Sequence, residues 1–358
     1  MIGGGISGLT CASALDAWGV DVVVVDQGYR VGGRASTRRT FEGQVIADHG
    51  APGFRVDHAA FGEQVSDWVD RGVCSKWVGG IGGQGLDGGD GQSGEDRFTG
   101  TPSMDAISMD LADGLDVQCQ LRALQVNTAS SVTGGSSSKW TVELEDREGN
   151  THTHRCGHLV IATQAREALR LIGEHSAELA SPLEQIEMAR VWVLMARVIG
   201  ADALDHITSI ENGPIEKGPI QKVIVDHSKP GRDANEEASN MLVFHANPEW
   251  SIQHNELDRD TMKELLLGHA RSLLKDLTGT KADASTIKLK DTQIHRWGSA
   301  FPLAGLPMHS LIDHHAHISI CGDALGWKSN TQNPLDYGIQ TAWLSGQHAA
   351  QTIVKNMT

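Results

Sequence analysis

The 358-residue sequence has few of the features that mark a membrane-spanning or nucleic-acid-binding protein. Lys and Arg number 30 against 45 Asp and Glu, and the formal net charge of −15 disfavours nucleic acid or an anionic membrane as a partner. No apolar run approaches the roughly 18 residues of a membrane span. The five cysteines form no CxxC pair, which fits a reducing compartment without a disulfide framework. We therefore expect a cytoplasmic protein, with an organellar address left open.

The chain opens with a pattern typical of a βαβ unit built around a glycine loop. A GxGxxG motif is formed by Gly3, Gly5 and Gly8. A helical pattern runs from Ile6 to Trp18, and the β-branched run VDVVVVD ends at Asp26. In such loops the glycines allow a tight turn and close approach of the backbone to a pyrophosphate, while the acidic residue accepts hydrogen bonds from ribose. This spacing predicts a dinucleotide site.

Only Met1 and Ile2 precede the glycine loop, although the first strand of such a fold lies in the middle of its sheet. A two-residue strand would leave neighbouring backbone groups unpaired. We therefore expect the natural protein to extend upstream by roughly five or more apolar residues, a typical strand length.

Apolar patterns further along the chain predict a second sheet and several helices. The runs ARVWVLMARVIG, KVIVD and MLVFHA are typical of strands, as is HLVIAT before them. Helical spacing extends over residues 166–180, 261–277 and 339–354. The glycine-rich stretch over residues 79–94 cannot bury a core and is predicted to be a flexible surface loop.

Two stretches after the βαβ unit resemble the renalase branch of the FAD-dependent amine oxidase superfamily. GGRASTRR is similar to that family's GGRxxTRR segment, and DHGAPGF to its DHGAxxF segment. Further similar stretches follow in the family's order along nearly the whole chain: FTGTPSMDAISMDLADGLDV, FHANPEWS, HRWGSAFP, CGDALG and TAWLSGQHAA. Each motif is modest alone, but their common order is difficult to obtain by chance.

The resemblance implies an α/β fold with two domains. A discontinuous Rossmann-type FAD-binding domain would comprise residues 1–60, 112–165 and 293–358. An inserted α+β substrate domain of the amine-oxidase and renalase type would comprise residues 61–111 and 166–292. The FAD is expected to be non-covalent, because Cys321 precedes the GD motif instead of following the pattern of covalent flavoenzymes.

The resemblance also implies the residues that bind FAD. Arg34 would contact the pyrophosphate, Asp323 the ribityl or phosphate region, and the amides at the start of the last helix, around Ile339 to Ala342, the electron-rich edge of the flavin. The complete expected set is Gly3, Gly5, Ile6, Ser7, Gly8, Asp26, Gln27, Gly33, Arg34, His49, Gly50, Ala51, Val126, Gly322, Asp323, Ile339, Thr341 and Ala342.

The sequence departs from the family pattern near its C-terminal end. The polar stretch WKSNTQNPLD, residues 327–336, is inserted after the GD motif, and Thr341 stands where glycine is expected. The insertion could cover the pocket and change the substrate.

Aromatic and polar residues of two motifs predict a substrate pocket. Trp192, Asn247, Trp250 and Trp297 are the expected substrate contacts, since aromatic planes stack flat heterocycles. His245, at the end of a strand, is the expected acid or base. Each has a purely structural role as its alternative.

A metal site is not expected. His152, His154, Cys156 and His158 alternate along one stretch, but a single strand spaces its ligands too far apart to close a tetrahedron.

Three functions remain open from the sequence. A renalase-like oxidase would take a hydride from a dihydronicotinamide-type substrate, a nicotinamide dinucleotide being one candidate, and pass electrons to dioxygen to give peroxide. An amine oxidase or desaturase is the second, although Tyr29 and Tyr337, the only tyrosines, cannot form the two-tyrosine cage of amine oxidases because Tyr29 lies by the pyrophosphate segment. The third is a flavin-binding relative without turnover.

Overall fold

The computed structural model describes residues 1–40, 44–77, 97–129, 139–199, 209–211, 218–232, 240–278, 288–326 and 334–357. Helices and strands alternate along these residues, as the α/β prediction requires. The helices are α1 Ile6–Ala17, α2 Ala59–Asp70, α3 Asp105–Ala112, α4 Ala165–Ile172, α5 Ala177–Leu183, α6 Pro248–Gln253, α7 Arg259–Thr278 and α8 Pro334–Lys355.

The strands fall into a mixed, mainly parallel sheet, a second large antiparallel sheet and several small antiparallel groups. Their bounds are β1 Val23–Asp26, β2 Thr37–Arg39, β3 Val45–Asp48, β4 Phe54–Arg55, β5 Cys74–Lys76, β6 Arg97–Gly100, β7 Asp116–Cys119, β8 Arg122–Thr128, β9 Trp140–Glu145, β10 Thr151–Cys156, β11 Leu159–Ile161, β12 Glu187–Met188, β13 Val191–Ile199, β14 Ser209–Glu211, β15 Ile220–Val225, β16 Met241–Ala246, β17 Lys288–Trp297, β18 Pro302–Ala304, β19 Leu311–Asp313 and β20 Ile318–Ile320.

The N-terminal residues lie in the middle of the first sheet. β1 pairs in parallel with β7, and β11 pairs in parallel with β20, to which β19 adds antiparallel. Ile2 bridges Val25 on one side and Ile161 on the other. The Gly3 amide donates to the Val25 carbonyl at 2.8 Å, and the Ala162 amide donates to the Ile2 carbonyl at 2.8 Å. The glycine loop therefore emerges at the carboxyl edge of a sheet that is parallel at this point.

Both faces of this sheet are covered, which explains the β-branched run of β1. Val24 packs with α1, α3 and α8, whereas Val25 packs on the opposite side with β8, β9 and α4. The small residues of α1 allow α8 to lie close, and a Cβ on Gly346 would meet the Ser7 carbonyl oxygen. Helices therefore cover one face of the sheet, and an antiparallel β8–β9–β10 layer covers the other.

The second large sheet has the strand order β14-β15-β16-β13-β17 and is antiparallel. One face, with Trp192 and Phe244, packs on α7. The other face, with Met195 and Val243, packs against Ile46 of β3. Because both faces are buried, the apolar runs that predicted these strands are nearly continuous.

Four buried charged residues connect β3 with the segment that follows β15 of the second large sheet. They are Asp48 of β3 and Asp226, Lys229 and Arg232 after β15, and we call them the charge cluster. Lys229 Nζ lies 2.7 Å from a carboxylate oxygen of each aspartate, and Arg232 lies 2.6 Å from Asp48. All four side chains are at most 1% exposed. Burial by itself would raise the pKa of Asp48, but Lys229 and Arg232 hold that pKa well below its usual range.

The structure corrects two helix predictions and one boundary. The single helix predicted over residues 166–180 is wrong, because α4 ends at Ile172 and Ser176 caps α5 by accepting a hydrogen bond from the Leu179 amide. The last helix starts at Pro334 instead of Ile339, and proline at the first helical position is the signal that the apolar pattern missed. β17 belongs to the second sheet up to Trp297, so the predicted boundary at residue 292 falls inside a strand.

The predicted loop over residues 79–94 and most of the polar insertion, residues 327–333, lie outside the described residues. No helix within the described part of the chain is long and apolar enough to cross a membrane.

Candidate functional site

A cavity of about 1240 Å³ lies between the carboxyl edge of the parallel strands and the second sheet. It exceeds the roughly 300–1,000 Å³ that is usual for pockets holding drug-sized ligands. The predicted site residues that line it are Gly3, Gly5, Ile6, Ser7, Asp26, Gln27, Gly33, Arg34, His49, Gly50, Ala51, His245, Trp297, Asp323, Ile339 and Ala342. Residues from both ends and from the middle of the chain thus meet at one place.

The glycine loop at one end of the cavity has the geometry of an anion site. Gly3 has a φ of +109°, and a Cβ there would lie 2.7 Å from the Ala162 carbonyl oxygen. A Cβ on Gly5 would meet no described atom within 4 Å, so the backbone at Gly5 faces open space. No side chain caps α1, whose first N–H groups have no acceptor within the helix. These amides and the helix dipole favour a negative group at this position.

Asp26 organises the same end of the cavity. One carboxylate oxygen accepts from the Gly4 amide at 2.7 Å and the other from the Gly28 amide at 2.6 Å. Asp26 therefore fixes the loop on either side of β1, and a carboxylate with about four lone-pair sites keeps capacity for a hydroxyl donor.

Arg34 and Asp323 contact each other at the middle of the cavity. Two guanidinium nitrogens of Arg34 each donate to a different carboxylate oxygen of Asp323, both at 2.7 Å. Arg34 also reaches the Ala300 carbonyl at 3.4 Å. The sequence assigned these two side chains separate contacts, and the structure makes each the other's partner.

Three histidines and a tryptophan form the other end of the cavity. The ring of His49 stacks on Trp297 at 5.3 Å and meets His295 edge-on at 4.7 Å. Trp297 Nε1 donates to the His49 carbonyl at 2.9 Å, which fixes the indole. Nε2 of His245 and Nδ1 of His49 are buried and have no hydrogen-bond partner among the described residues.

These histidines are neutral at pH 7. Burial, together with His295 and Arg38, lowers the pKa of His49 to about 3. Burial and the charges of Lys222 and Lys229 lower the pKa of His245 to about 3. Burial and nearby arginines lower the pKa of His295 to about 4. This end of the cavity therefore offers uncharged donors and acceptors beside a flat aromatic surface.

Sequence reasoning missed His295 and Arg38, which line the cavity next to His49. His295 lies two positions before Trp297 on β17, and residues two apart on a strand share a face. That spacing could have revealed the histidine. Arg38 and Arg39 of the TRR stretch both line the cavity, and the sequence pattern did not indicate that Arg39 would be the one paired with a carboxylate.

Four residues predicted to bind the cofactor do not line the cavity. Gly8 lies behind the loop, where a Cβ would strike the Gly3 carbonyl oxygen. Val126 is buried in the core, and Leu121 to Ala123 of the adjacent segment line the cavity instead. Gly322 donates its amide to Ser345 Oγ. Thr341 is buried in α8.

The early start of α8 changes the expected role of its amides. Ile339 to Ala342 lie in the second turn, where each backbone N–H bonds to a carbonyl four residues earlier. Those amides are therefore not the free amides of a helix start. Gly338, Ile339 and Ala342 line the cavity, so the glycine that faces it is Gly338 and not position 341.

Three of the four expected substrate contacts also lie away from the cavity. Trp192 is 2% exposed and packs in the core between the second sheet and α7. Asn247 caps α6 by accepting from the amides of Glu249 and Trp250. The ring of Trp250 stacks on His254 at 4.2 Å. Aromatic composition alone could not separate these structural residues from Trp297.

The alternating histidines of β10 and the turn after it bind separate partners. His152 contacts Asp146 at 3.0 Å, His154 contacts Gln118 at 3.0 Å, and His158 contacts Ser319 at 2.8 Å. No group of three or more potential metal ligands occurs among the residues that the structure describes.

Residues 1–71 match the family model of an NAD(P)-binding Rossmann-like domain. The match covers Gly3 and Gly5 of the glycine loop, Asp26, Arg34 and His49, which all line the cavity. The chain therefore contains a Rossmann-like dinucleotide-binding domain of the kind found in oxidoreductases.

Proposed function

We propose that the protein is a renalase-like FAD-dependent oxidoreductase that takes a hydride from a dihydronicotinamide-type substrate and passes the electrons to dioxygen, giving peroxide. The observation that carries this proposal is the continuous cavity that joins the glycine loop to the stacked rings of His49 and Trp297. It has room for a dinucleotide at one end and a flat substrate at the other.

The donor set at the loop end fits FAD. The open space at Gly5 and the uncapped first turn of α1 suit a pyrophosphate, and Asp26 suits a ribose hydroxyl. Ile339 and Ala342 would lie against the rest of the cofactor. When bound, FAD supplies a ring that accepts a hydride and returns the electrons to dioxygen.

The residues at the other end would bind and orient the substrate. A flat heterocycle can stack on the indole of Trp297, which the His49 carbonyl holds in place. The unpartnered ring nitrogens of His245 and His49 can hydrogen-bond to a polar substituent such as a carboxamide. Hydride transfer needs no strong acid or base, so neutral histidines suit this orienting role.

An anaerobic substrate panel followed by flavin absorbance tests the proposal. The purified protein should be yellow, and dihydronicotinamide isomers should bleach it while amines do not. Bleaching by amines alone would replace the proposal with an amine oxidase. Bound flavin that none of these compounds reduces would indicate a protein without turnover. A colourless protein that binds NADH would overturn the assignment of FAD.

Two tryptophans provide a matched pair of variants. Trp297→Phe should raise KM for the dihydronicotinamide, because Trp297 lines the cavity. Trp192→Phe should change stability but not KM, because Trp192 lies in the core. Equal effects of both variants on KM would contradict the stacking role of Trp297.

A further inference from the structure

The arginines that line the cavity differ in how their charge is compensated. Arg34 is paired with Asp323, and Arg39 is paired with Asp105. Arg30 and Arg122 are exposed to solvent. Arg38 is half-buried and pairs with no carboxylate among the described residues. A cation in such surroundings is stabilised by an anionic ligand.

The alternation of β2 explains why neighbouring arginines differ. Thr37 and Arg39 share one face of the strand, where Thr37 bonds to Asp48 at 2.6 Å and Arg39 forms its ion pair with Asp105. Arg38 points to the opposite face, towards His295. Arg38 Nη2 donates to Nδ1 of His295 at 3.3 Å. Because arginine can only donate, Nδ1 of this neutral histidine accepts.

The surroundings of Arg38 are positive and poor in acceptors. Its Nε is buried and has no hydrogen-bond partner among the described residues. Burial, and then the guanidinium of Arg259, lower the pKa of Arg38. His49 and His295 are neutral and do not compensate this charge.

The acidic residues of the cavity wall are committed elsewhere. Asp323 binds Arg34, and Asp105 binds Arg39. Asp26 accepts from two loop amides, and Glu167 pairs with Arg170. An oxyanion brought by a ligand would therefore meet an uncompensated guanidinium beside the stacked rings of His49 and Trp297.

We propose that Arg38 binds a carboxylate or phosphate group of the substrate, so that the substrate is a flat ring carrying an anionic group. The flat part would lie against Trp297, and His295 would hold the guanidinium in position. This inference rests on the proposed function, because it takes the ligand of Arg38 to be the compound that is oxidised in this cavity.

Binding of non-reacting aromatic probes tests Arg38 directly. Isothermal titration of the cofactor-loaded protein with benzoate, phenyl phosphate and benzamide compares two anions with a neutral ring. At least one anion should bind about 10- to 100-fold more tightly than benzamide, the range of a charge-assisted hydrogen bond. A preference for benzoate or for phenyl phosphate then identifies the anionic group. Equal affinities for all three probes would overturn the inference.

Three variants separate a specific contact from a general positive potential. Arg38→Met should abolish the preference for the anion. Arg38→Lys should retain part of it, because lysine keeps the charge but lacks the planar guanidinium that binds an oxyanion through two hydrogen bonds. Arg259→Met should largely retain the preference, since Arg259 is exposed and does not line the cavity. A preference that survives in Arg38→Met, or that disappears equally in Arg259→Met, would contradict the assignment.

Substrate kinetics distinguish failure of this inference from failure of the proposed function. Reduced nicotinamide mononucleotide and reduced nicotinamide riboside differ only by a phosphate. N-methyl dihydronicotinate carries a ring carboxylate where N-methyl dihydronicotinamide carries a neutral carboxamide. If the wild type oxidises both members of each pair equally, the role of Arg38 is wrong and the proposed function stands. If it oxidises none, the proposed function fails, while the probe titrations still decide the role of Arg38.

Discussion

Arg34 and Asp323 lie 289 positions apart in the sequence and form a two-point ion pair at the wall of the cavity. Arg34 follows the first βαβ unit and Asp323 follows β20, so the pair joins the two ends of the chain at the candidate site. Both groups line the cavity, and their side chains are 29% and 12% exposed.

Replacing Asp323 by Asn should lower the free energy of unfolding by about 1–2 kcal/mol, because charge-assisted hydrogen bonds to a partly buried group are lost. Urea unfolding at pH 7 measures this change. Asp67→Asn is the control, since its pair with Arg71 is about half exposed and is expected to contribute at most about 0.5 kcal/mol. Equal losses in the two variants would show that the Arg34 pair behaves as a surface contact.

Two glycines of the loop should respond differently to alanine. Gly5→Ala should weaken dinucleotide binding, because its Cβ would occupy space in the cavity beside the loop. It should change Tm little, because that Cβ would meet no described atom within 4 Å. Gly8→Ala should lower stability by about 1–3 kcal/mol, because its Cβ would strike the Gly3 carbonyl oxygen and overpack the loop. Thermal unfolding with and without the dinucleotide measures both effects. Undiminished dinucleotide affinity in Gly5→Ala would argue against a phosphate at that position.

The buried histidines should make the protein less stable as the pH falls. His49 and His245 have a pKa of about 3 in the folded protein, against about 6.5 for an unfolded chain. Between these values the unfolded chain binds more protons, so the free energy of unfolding decreases from about pH 6.5 towards pH 3. Each histidine contributes up to about 1.4 kcal/mol per pH unit.

Urea unfolding at pH 7, 6 and 5 measures this slope. His49→Gln should make the slope shallower, because the titrating ring is gone. His314→Gln is the control, since that side chain is exposed. An unchanged slope in His49→Gln would mean that His49 is accessible to protons in the folded protein.

Breaking the charge cluster should be costly. Lys229→Met leaves Asp48 and Asp226 buried with one cation for two carboxylates, and a loss of about 3–5 kcal/mol is expected. The double variant Lys229→Met with Asp226→Asn restores neutrality and should recover part of this loss. Chemical unfolding of the two variants makes the comparison. A double variant less stable than the single one would show that hydrogen bonding, and not charge balance, dominates the cluster.

The sequence predicted the parts of the fold that depend on local patterns. The glycine spacing and the β-branched run ending at Asp26 identified the first βαβ unit, because both are local patterns along the chain. The strand containing Trp192 was found for the same reason. Residues 166–180 were misassigned because the breaks at Gly173 and Ser176 interrupt an otherwise continuous apolar spacing.

The candidate site was harder to predict where contacts are distant in sequence. The pairing of Arg34 with Asp323 requires the three-dimensional structure. Trp192, Trp250 and Trp297 are equivalent by composition, and only the direction of each side chain separates the cavity residue from the two that pack elsewhere. Asn247 was assigned to the substrate because a helix cap and a substrate contact use the same amide chemistry.

The charge cluster has a consequence for how the two walls of the cavity are held together. Asp48 precedes His49 on one wall, while Asp226 follows β15 of the sheet that carries His245 on the other. Separating the walls at this point would expose two cations and two anions whose ion pairs are all formed within the cluster. Because the cluster is buried, dissolved salt screens it far less than surface charges. The contact between β3 and the segment after β15 should therefore depend on salt concentration much less than a surface ion pair does.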